Sequence, residues 1–391
     1  MSKIQFFVCT THTDSIATVK RIIEASKPTF EWEMVSAHPT DTAAVKQHLL
    51  TCHAIIGDPS IAHLLSSPEK SCPNLKWFQS TFAGIDKFLK MSPPPHGPTG
   101  TRPKFAVSRG ASLFGPAMAE YIIGTTITTQ RHIYQLKQIQ STGASPFGIV
   151  EQASTFPLVS QLRVGILGGT GSIGQDIARR FYALGATVVG AGRKERKEGE
   201  EWLQKQVESE WDKRLPKASD SFSSFISLEG DDAQHQNKLR AFLKDLDVIV
   251  NVLPSTPETH YLLGGRKIDG TDGFTEPLSV CKPSSILVNV GRGTVISEAA
   301  VCSALNKGFI RHAILDVFEE EPLPPTSALL KLNPSLITLT PHVSGIPQSA
   351  DFMESLLNFN IPQFVRGMEK EAKGGKWEWD LRYLVNWEDG Y

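Results

Sequence analysis

Three polar groups stand just past apolar runs late in the chain. Gly291-Arg292-Gly293 follows Ile286–Val290, the acidic run Asp316 to Glu321 follows Ala313–Leu315, and Thr340-Pro341-His342-Val343-Ser344-Gly345 follows Leu336–Leu339. A guanidinium offers a planar fork that suits a carboxylate and the oxygen beside it. An imidazole can take or give a proton near neutral pH. A carboxylate next to it favours the charged ring and fixes its orientation. In open α/β sheets, ligands lie outside the carboxyl ends of the strands. If the runs are strands, Arg, Glu and His converge on one ligand.

Farther back, the apolar run Val164–Leu167 breaks into Gly168-Gly169-Thr170-Gly171-Ser172-Ile173-Gly174, and a helical pattern follows to Leu184. Gly169-x-Gly171-x-x-Gly174 between a strand and a helix fits the dinucleotide fingerprint. The glycines permit a tight turn, backbone approach to a pyrophosphate and close helix packing. Free N–H groups and the helix dipole favour negative charge there.

The elements that position these groups follow from pattern. The chain of 391 residues is long enough for two domains. Its first part alternates candidate strands (Ile4–Val8, Glu31–Val35, Ala54–Gly57, Trp77–Gln79, Phe105–Val107) with amphipathic segments at Ser15–Ala25 and Thr42–Leu50. Such alternation predicts a parallel sheet covered on both faces. Pro116 opens a long helical pattern to about Lys137, with proline at the first turn. A second sheet is expected from Val164–Leu167, Thr187–Val189, Val248–Val252, Ile286–Val290, Ala313–Leu315 and Leu336–Leu339. The charged stretch of about 194–240 reads as a partly helical surface insertion, and 264–277 as a shorter excess. Pro93 to Pro98 must be a surface loop. A helix is expected from Pro347 to about Gly367, and the aromatic tail should dock on the first lobe. The fold class is therefore α/β, with two Rossmann-like or flavodoxin-like lobes. Residues 1–113 plus 348–391 form one lobe, and 114–347 form the cofactor lobe inserted in it.

A net charge of -1 without a long basic block argues against nucleic acid or an anionic membrane as partner. The five scattered cysteines, with no C-x-x-C, suggest a reducing compartment and neither disulfide frame nor metal site. The start of the chain reads as a buried strand rather than a signal peptide, and no run approaches the ~18 apolar residues of a span. A cytoplasmic location is the expectation.

These motifs together resemble the D-isomer-specific 2-hydroxyacid dehydrogenase family. The matching stretches are Gly169–Gly174, Leu253-Pro254 through Thr259, Asn289 through Gly293, Leu315 through Pro322, and Thr340-Pro341-His342. A fainter match is Gln79 through Asp86. The resemblance implies reversible hydride transfer between a nicotinamide cofactor and a small 2-oxo or 2-hydroxy acid of the glyoxylate/hydroxypyruvate type. It implies that Arg292 binds substrate and His342 is the general acid–base residue. Glu321 would support the histidine, being five residues beyond Asp316, although Glu319 and Glu320 blur the choice. Backbone groups at Ala83 and Gly84 would hold the substrate carboxylate. Cofactor contacts are implied at Gly169 to Gly174, Leu253, Pro254, Thr259, Val290, Gly291, Arg292, Asp316 (facing the nicotinamide carboxamide), His342, Ser344 and Gly345. A homodimer is implied too, with the helix from Pro116 as interface.

NAD enzymes place an acid at the end of the second strand to bind the ribose 2′-hydroxyl. Here that position is Gly192, and Arg193 and Lys194 follow. Two bases would attract a 2′-phosphate, so NADP(H) is expected to be preferred, with NAD(H) possible. Two departures from the family stand out: the glycine turn is one residue longer, because of Gly168, and the 194–240 stretch has no counterpart. The double glycine also resembles short-chain dehydrogenases, but no tyrosine here has a lysine four positions later. The alternative is a non-enzymatic, NAD(P)-sensing corepressor-like scaffold of the same fold.

Overall fold

The computed structural model describes the chain except residues 1–2, 12–14, 66–70, 90–104, 112, 194–213, 231, 267–274, 346–350, 377–379, 386 and 388–391. The expected loop at Pro93 to Pro98 lies outside the described residues, as do Lys194, Trp202 and Trp211. The chain divides into two compact units, one built from Met1–Phe114 with Pro347–Tyr391, the other drawn from 115–346. Each has a parallel sheet flanked by helices, as the alternating pattern predicts.

The first unit's sheet contains β1 (Ile4–Cys9), β2 (Trp32–Ser36), β3 (Ala54–Gly57), β4 (Trp77–Ser80) and β5 (Ala106–Ser108), in the order β2-β1-β3-β4-β5. All of β1 is buried, because both faces of a parallel sheet are covered. Ile4, Phe6 and Val8 face one cluster with Trp77 and Phe364, while Phe7 and Cys9 face another with Phe78. Helices α1 (Ser15–Ala25) and α2 (Thr42–Leu49) follow β1 and β2. The tail docks within this unit as expected. Leu381 and Tyr383 are buried in the first cluster, and Leu384 forms an antiparallel bridge with Ser108 that covers the edge of β5. Buried Asn360 ties the tail in, donating to Gln79 Oε1 (2.8 Å) and accepting from Arg382 N–H (2.8 Å).

The second unit corrects two expectations. The long helix from Pro116 is two helices, α3 (Gly115–Gln130) and α4 (Ile133–Ser141). The chain breaks at His132, which has a left-handed φ of 56° that interrupts the helical run. The 194–240 stretch is only partly an insertion. It includes a seventh strand, β8 (Ser224–Ser227), and the start of α6 (Asp232–Leu243). Flanking charge hid this short edge strand. Its neighbours are β6 (Arg163–Leu167), β7 (Thr187–Gly192), β9 (Val248–Asn251), β10 (Ile286–Asn289), β11 (His312–Leu315) and β12 (Ile337–Leu339). The sheet order is β12-β11-β10-β9-β6-β7-β8, parallel throughout. Helices α5 (Ser172–Ala183) and α7 (Glu298–Asn306) flank it, and in the first unit α8 spans Asp351–Ala372, running past the expected end at Gly367. Among the described residues, no helix is long and apolar enough to cross a membrane.

His312, which opens β11, is buried with both ring nitrogens engaged. Nδ1 lies 3.0 Å from the Ser335 carbonyl, and Nε2 lies 2.9 Å from the Thr338 hydroxyl. The carbonyl can only accept, so Nδ1 carries the proton and Nε2 accepts. Burial pushes the ring's pKa down from 6.5 to about 4. The unfolded chain therefore takes up a proton that the folded chain refuses. Stability from this group is full above 6.5 and lost as pH falls through about 4. His312→Gln keeps a donor and an acceptor without titrating. It should lose less stability across that window, by on the order of 2–3 kcal/mol. Urea unfolding of both proteins at the two ends of the window checks this; equal losses would exonerate His312.

Candidate active site

The glycine turn begins where β6 ends. Gly168 has a φ of +90°, a conformation open mainly to glycine. Its N–H and that of Gly169 both donate to the Ala191 carbonyl (2.9 and 3.2 Å), and Gly171 N–H returns to Gly168 O (3.0 Å). The additional residue is thus absorbed in a closed turn. A Cβ on Gly174 would sit 2.3 Å from Gly168 O, so this close approach of α5 to the turn requires glycine. Gly171 is the N-cap and provides no side-chain cap, which leaves the first turn of α5 suited to an anion. Thr170 O accepts from Gln175 Nε2 (2.7 Å), tying the turn to α5, whose first residues are Ser172 and Ile173. These residues fit a dinucleotide pyrophosphate.

At the end of β7, a Cβ on Gly192 would lie 2.9 Å from Phe225 Cζ and 3.3 Å from Thr170 Oγ1. An acid there would have to displace the Phe225 ring, which belongs to β8. Arg193 is exposed, and its carbonyl accepts from Ser227 Oγ (3.2 Å).

Two buried asparagines organise the loops after β9 and β10. Asn251 Nδ2 donates to Asn289 Oδ1 (2.8 Å), Leu253 N–H donates to Asn251 Oδ1 (3.2 Å), and Gly291 N–H donates to Asn289 Oδ1 (3.3 Å). The Pro254 carbonyl accepts from Thr259 Oγ1 (2.7 Å), so that hydroxyl closes its own loop. Val290 and Gly291 are buried, and Arg292, partly buried, donates to Gly291 O (2.8 Å).

Asp316 ends β11 fully buried. It accepts from Thr340 Oγ1 (2.5 Å), Val343 N–H (2.9 Å) and Ser344 N–H (2.9 Å). Its carboxylate therefore holds the loop on both sides of His342, with Gly345 just beyond. His342 has a left-handed φ of 55°. Its Nδ1 lies 2.8 Å from Glu321 Oε2, and Glu321 Oε1 accepts from Phe318 N–H (3.0 Å). The three glutamates separate cleanly. Glu319 accepts from the Tyr261 hydroxyl and from Glu298 N–H, Glu320 is exposed, and Glu321 meets the histidine.

The hydrogen bond that His342 donates to Glu321 raises the histidine pKa from 6.5 against its burial, and the Glu321 and Asp316 charges add to this while that of Arg292 opposes it. Burial pushes the Glu321 carboxyl up. The bonds from His342 and Phe318 N–H and the charges of His342 and Arg292 outweigh that and hold it below its ordinary value. Arg292, Glu321 and His342 thus form one electrostatic group, with Nε2 of the half-exposed His342 left for another partner.

In the first unit, Ala83 and Gly84 follow β4 in a tight turn, with Phe82 O accepting from Ser80 Oγ (2.9 Å) and Gly110 N–H (2.9 Å). Buried Asp58 steadies that turn, accepting from Thr81 Oγ1 (2.5 Å), Thr10 Oγ1 (2.7 Å) and Thr11 N–H (2.9 Å). Sequence reasoning missed Asp58, Asn251 and the role of Asn289. Their one signal was a polar residue at the end of an apolar run.

The model of the D-isomer specific 2-hydroxyacid dehydrogenase NAD binding domain matches residues 123–235 and 226–344, more than half of the chain. The chain belongs to this family. Glyoxylate/hydroxypyruvate reductase B of Pectobacterium atrosepticum is 39% identical over 134 residues, which cover 34% of this chain and 38% of that one. The match therefore spans little more than a third of that relative's length. Glyoxylate reductase of Thermofilum pendens is 25% identical over 298 residues, 76% of this chain and 74% of the relative. A solved D-isomer specific 2-hydroxyacid dehydrogenase family protein from Aeromonas salmonicida superposes with a TM-score of 0.69 at 25% identity, covering 99% of this chain and 100% of that one. The NADPH-dependent glyoxylate/hydroxypyruvate reductase of Sinorhizobium meliloti, solved with NADP and sulfate, shares the fold at 21% identity and a TM-score of 0.65, with 99% and 100% covered.

For this dehydrogenase-family chain the separation of the glutamates can be tested. Glu321→Gln should bring the His342 titration back toward 6.5, whereas Glu319→Gln should leave it in place. Histidine side-chain NMR against pH reads both. A shift in the Glu319 variant alone would reassign the partner.

Proposed function

We propose that the chain is an oxidoreductase that moves a hydride between NADP(H) and a small 2-oxo acid, giving a D-2-hydroxy acid. The observation that carries this is the 2.8 Å pair of His342 Nδ1 with Glu321, under the charge of Arg292. The similar glyoxylate and glyoxylate/hydroxypyruvate reductases point to acids of glyoxylate or hydroxypyruvate size. In this reading the unit drawn from 115–346 holds the cofactor, and the other provides substrate contacts.

The nicotinamide, when bound, supplies the hydride. The Arg292 fork binds the substrate carboxylate and adjacent oxygen, and N–H groups at Ala83 and Gly84 add donors. His342 gives the ketone oxygen a proton from Nε2, and Glu321 holds Nδ1 so that Nε2 faces outward. The Glu321 hydrogen bond raises its pKa and so favours the charged ring that reduction requires. Gly169 to Gly174 would hold the pyrophosphate, and Leu253, Pro254 and Thr259 would border the adenosine half. Val290, Gly291, Ser344 and Gly345 would line the nicotinamide half, and buried Asp316, which accepts from Val343 and Ser344 N–H, holds the loop after β12. Arg193, with no acid at Gly192, favours the 2′-phosphate. Similar folds are solved with NADP, NADPH or NAD, which supports a nicotinamide dinucleotide here, and Arg193 alone carries the preference.

Exposed Ile127, Ile133, Tyr134, Phe147, Val150 and Leu158 give the α3–α4 region an apolar surface suited to a homodimer. The free cysteines suit a reducing cytoplasm.

His342→Ala should lower turnover by roughly 10²–10⁴, the usual share of general acid–base catalysis. Because the proton donor is the charged ring, kcat/KM for reduction should fall as pH rises through the His342 pKa, above 6.5. Assays with glyoxylate and hydroxypyruvate over pH check both. Full activity in the variant would refute the role, and no turnover by the wild type despite cofactor binding would favour the sensing scaffold.

Arg193→Ala should raise KM for NADPH about tenfold, a cost near 1.4 kcal/mol, and leave NADH unchanged. Kinetics with both cofactors decide it; equal effects would show that Arg193 does not contact the phosphate.

A further inference from the structure

A hydrogen-bond chain leads from α3 to the loop that carries His342. The Tyr121 hydroxyl lies 2.7 Å from Thr340 Oγ1, which lies 2.5 Å from Asp316 Oδ1. Asp316 in turn accepts the N–H groups of Val343 and Ser344, the two residues after His342. We propose that Tyr121 is a positioning residue for His342, acting through the Thr340 hydroxyl and the Asp316 carboxylate. This rests on the reading of His342 as the acid–base group.

The direction of the chain follows from proton counting. Thr340 has one hydroxyl proton, and it points to Asp316, which accepts at every contact. Thr340 must therefore accept from Tyr121, and the phenol must stay protonated. Burial pushes the Tyr121 hydroxyl up to about 12, so it remains a donor throughout the working range. Each bond then polarises the next.

The chain has a geometric task. His342 has a left-handed φ of 55°, which a non-glycine residue holds only when its surroundings over-determine it. Thr340 precedes His342 by two residues, and its backbone carbonyl accepts the His342 N–H (3.0 Å). Asp316 grips the loop beyond His342 while the Thr340 side chain closes the near side. Tyr121 fixes the Thr340 rotamer from a helix outside the loop. Loss of the phenol leaves the Thr340 hydroxyl held by Asp316 alone and loosens that end of the loop, so Nδ1 is held less firmly on Glu321.

Tyr121→Phe removes the hydroxyl and keeps the ring. The expected result is a kcat lower by roughly three- to tenfold, the range of one neutral hydrogen bond, with KM for NADPH within about twofold. Thr340→Val should show a similar loss, and the double variant should be no worse than Thr340→Val alone, because Tyr121 acts through that hydroxyl. Thr340→Ser should remain close to the wild type. The second readout is His342 titration by side-chain NMR. Glu321, Arg292 and Asp316 all remain in Tyr121→Phe, so a shift back toward 6.5 reports displacement of the ring. Wild-type kcat and titration in Tyr121→Phe would overturn the proposal, and so would losses that multiply in the double variant. If Thr340→Val does not fold, Tyr121→Phe and Thr340→Ser carry the test. If the wild type reduces no 2-oxo acid, the activity reading fails, and the titration alone still decides whether Tyr121 positions His342.

Discussion

Parallel strands deliver all their carboxyl ends to one edge of a sheet. In the second unit β10, β11 and β12 are direct neighbours, so residues far apart in sequence emerge side by side. Arg292 follows β10, Asp316 and Glu321 follow β11, and His342 follows β12. The hydrogen-bonded register of the strands sets the spacing of these groups. The same geometry explains why β6 and β7, across the order reversal, present the glycine turn and Arg193 to the same edge. The glycine turn and the Arg292–Glu321–His342 group then depend on a single sheet remaining in register.

Two histidines in this sheet show how surroundings assign roles. His312 opens β11 and His342 follows β12. His312 meets a carbonyl and a hydroxyl in a buried site, so it stays neutral and its pKa falls to about 4. His342 is half-exposed against a carboxylate, so its pKa rises and one nitrogen remains available. The first braces a strand end. The second is suited to exchanging a proton. Residue type is identical, and the partner atoms account for the difference.

Buried polar side chains do much of the positioning. Asp58 draws together the residues after β1 and β4, the Asn251–Asn289 pair joins the loops after β9 and β10, and Asp316 clamps the loop around His342. Each bonds to neighbouring backbone, hydroxyl or amide groups, and an unmet partner in such a place would cost about 1–3 kcal/mol. These groups allow irregular loops to stay put next to a rigid sheet. They also show why Gly192 matters: with Phe225 of β8 filling the space beside it, this strand end has room for backbone and little else.

Apolar runs bounded by glycine and proline were enough to indicate two parallel α/β units, the glycine turn and the order of Arg292, Glu321 and His342. They carry that information because strand period and turn chemistry are local. Three matters were not local. β8 was hidden by the charged residues around it, since a short edge strand gains its identity from pairing with β7. The helix from Pro116 breaks at His132 through a backbone angle that its composition does not announce. Glu319, Glu320 and Glu321 are chemically identical in a row, and their separation came from partners distant in sequence, Tyr261 and Glu298 for one and His342 for another. Composition and spacing thus identify which groups are available for chemistry. Which carboxylate reaches the imidazole is set by hydrogen bonds across strands, and those exist only once the sheet has brought distant segments within 3 Å.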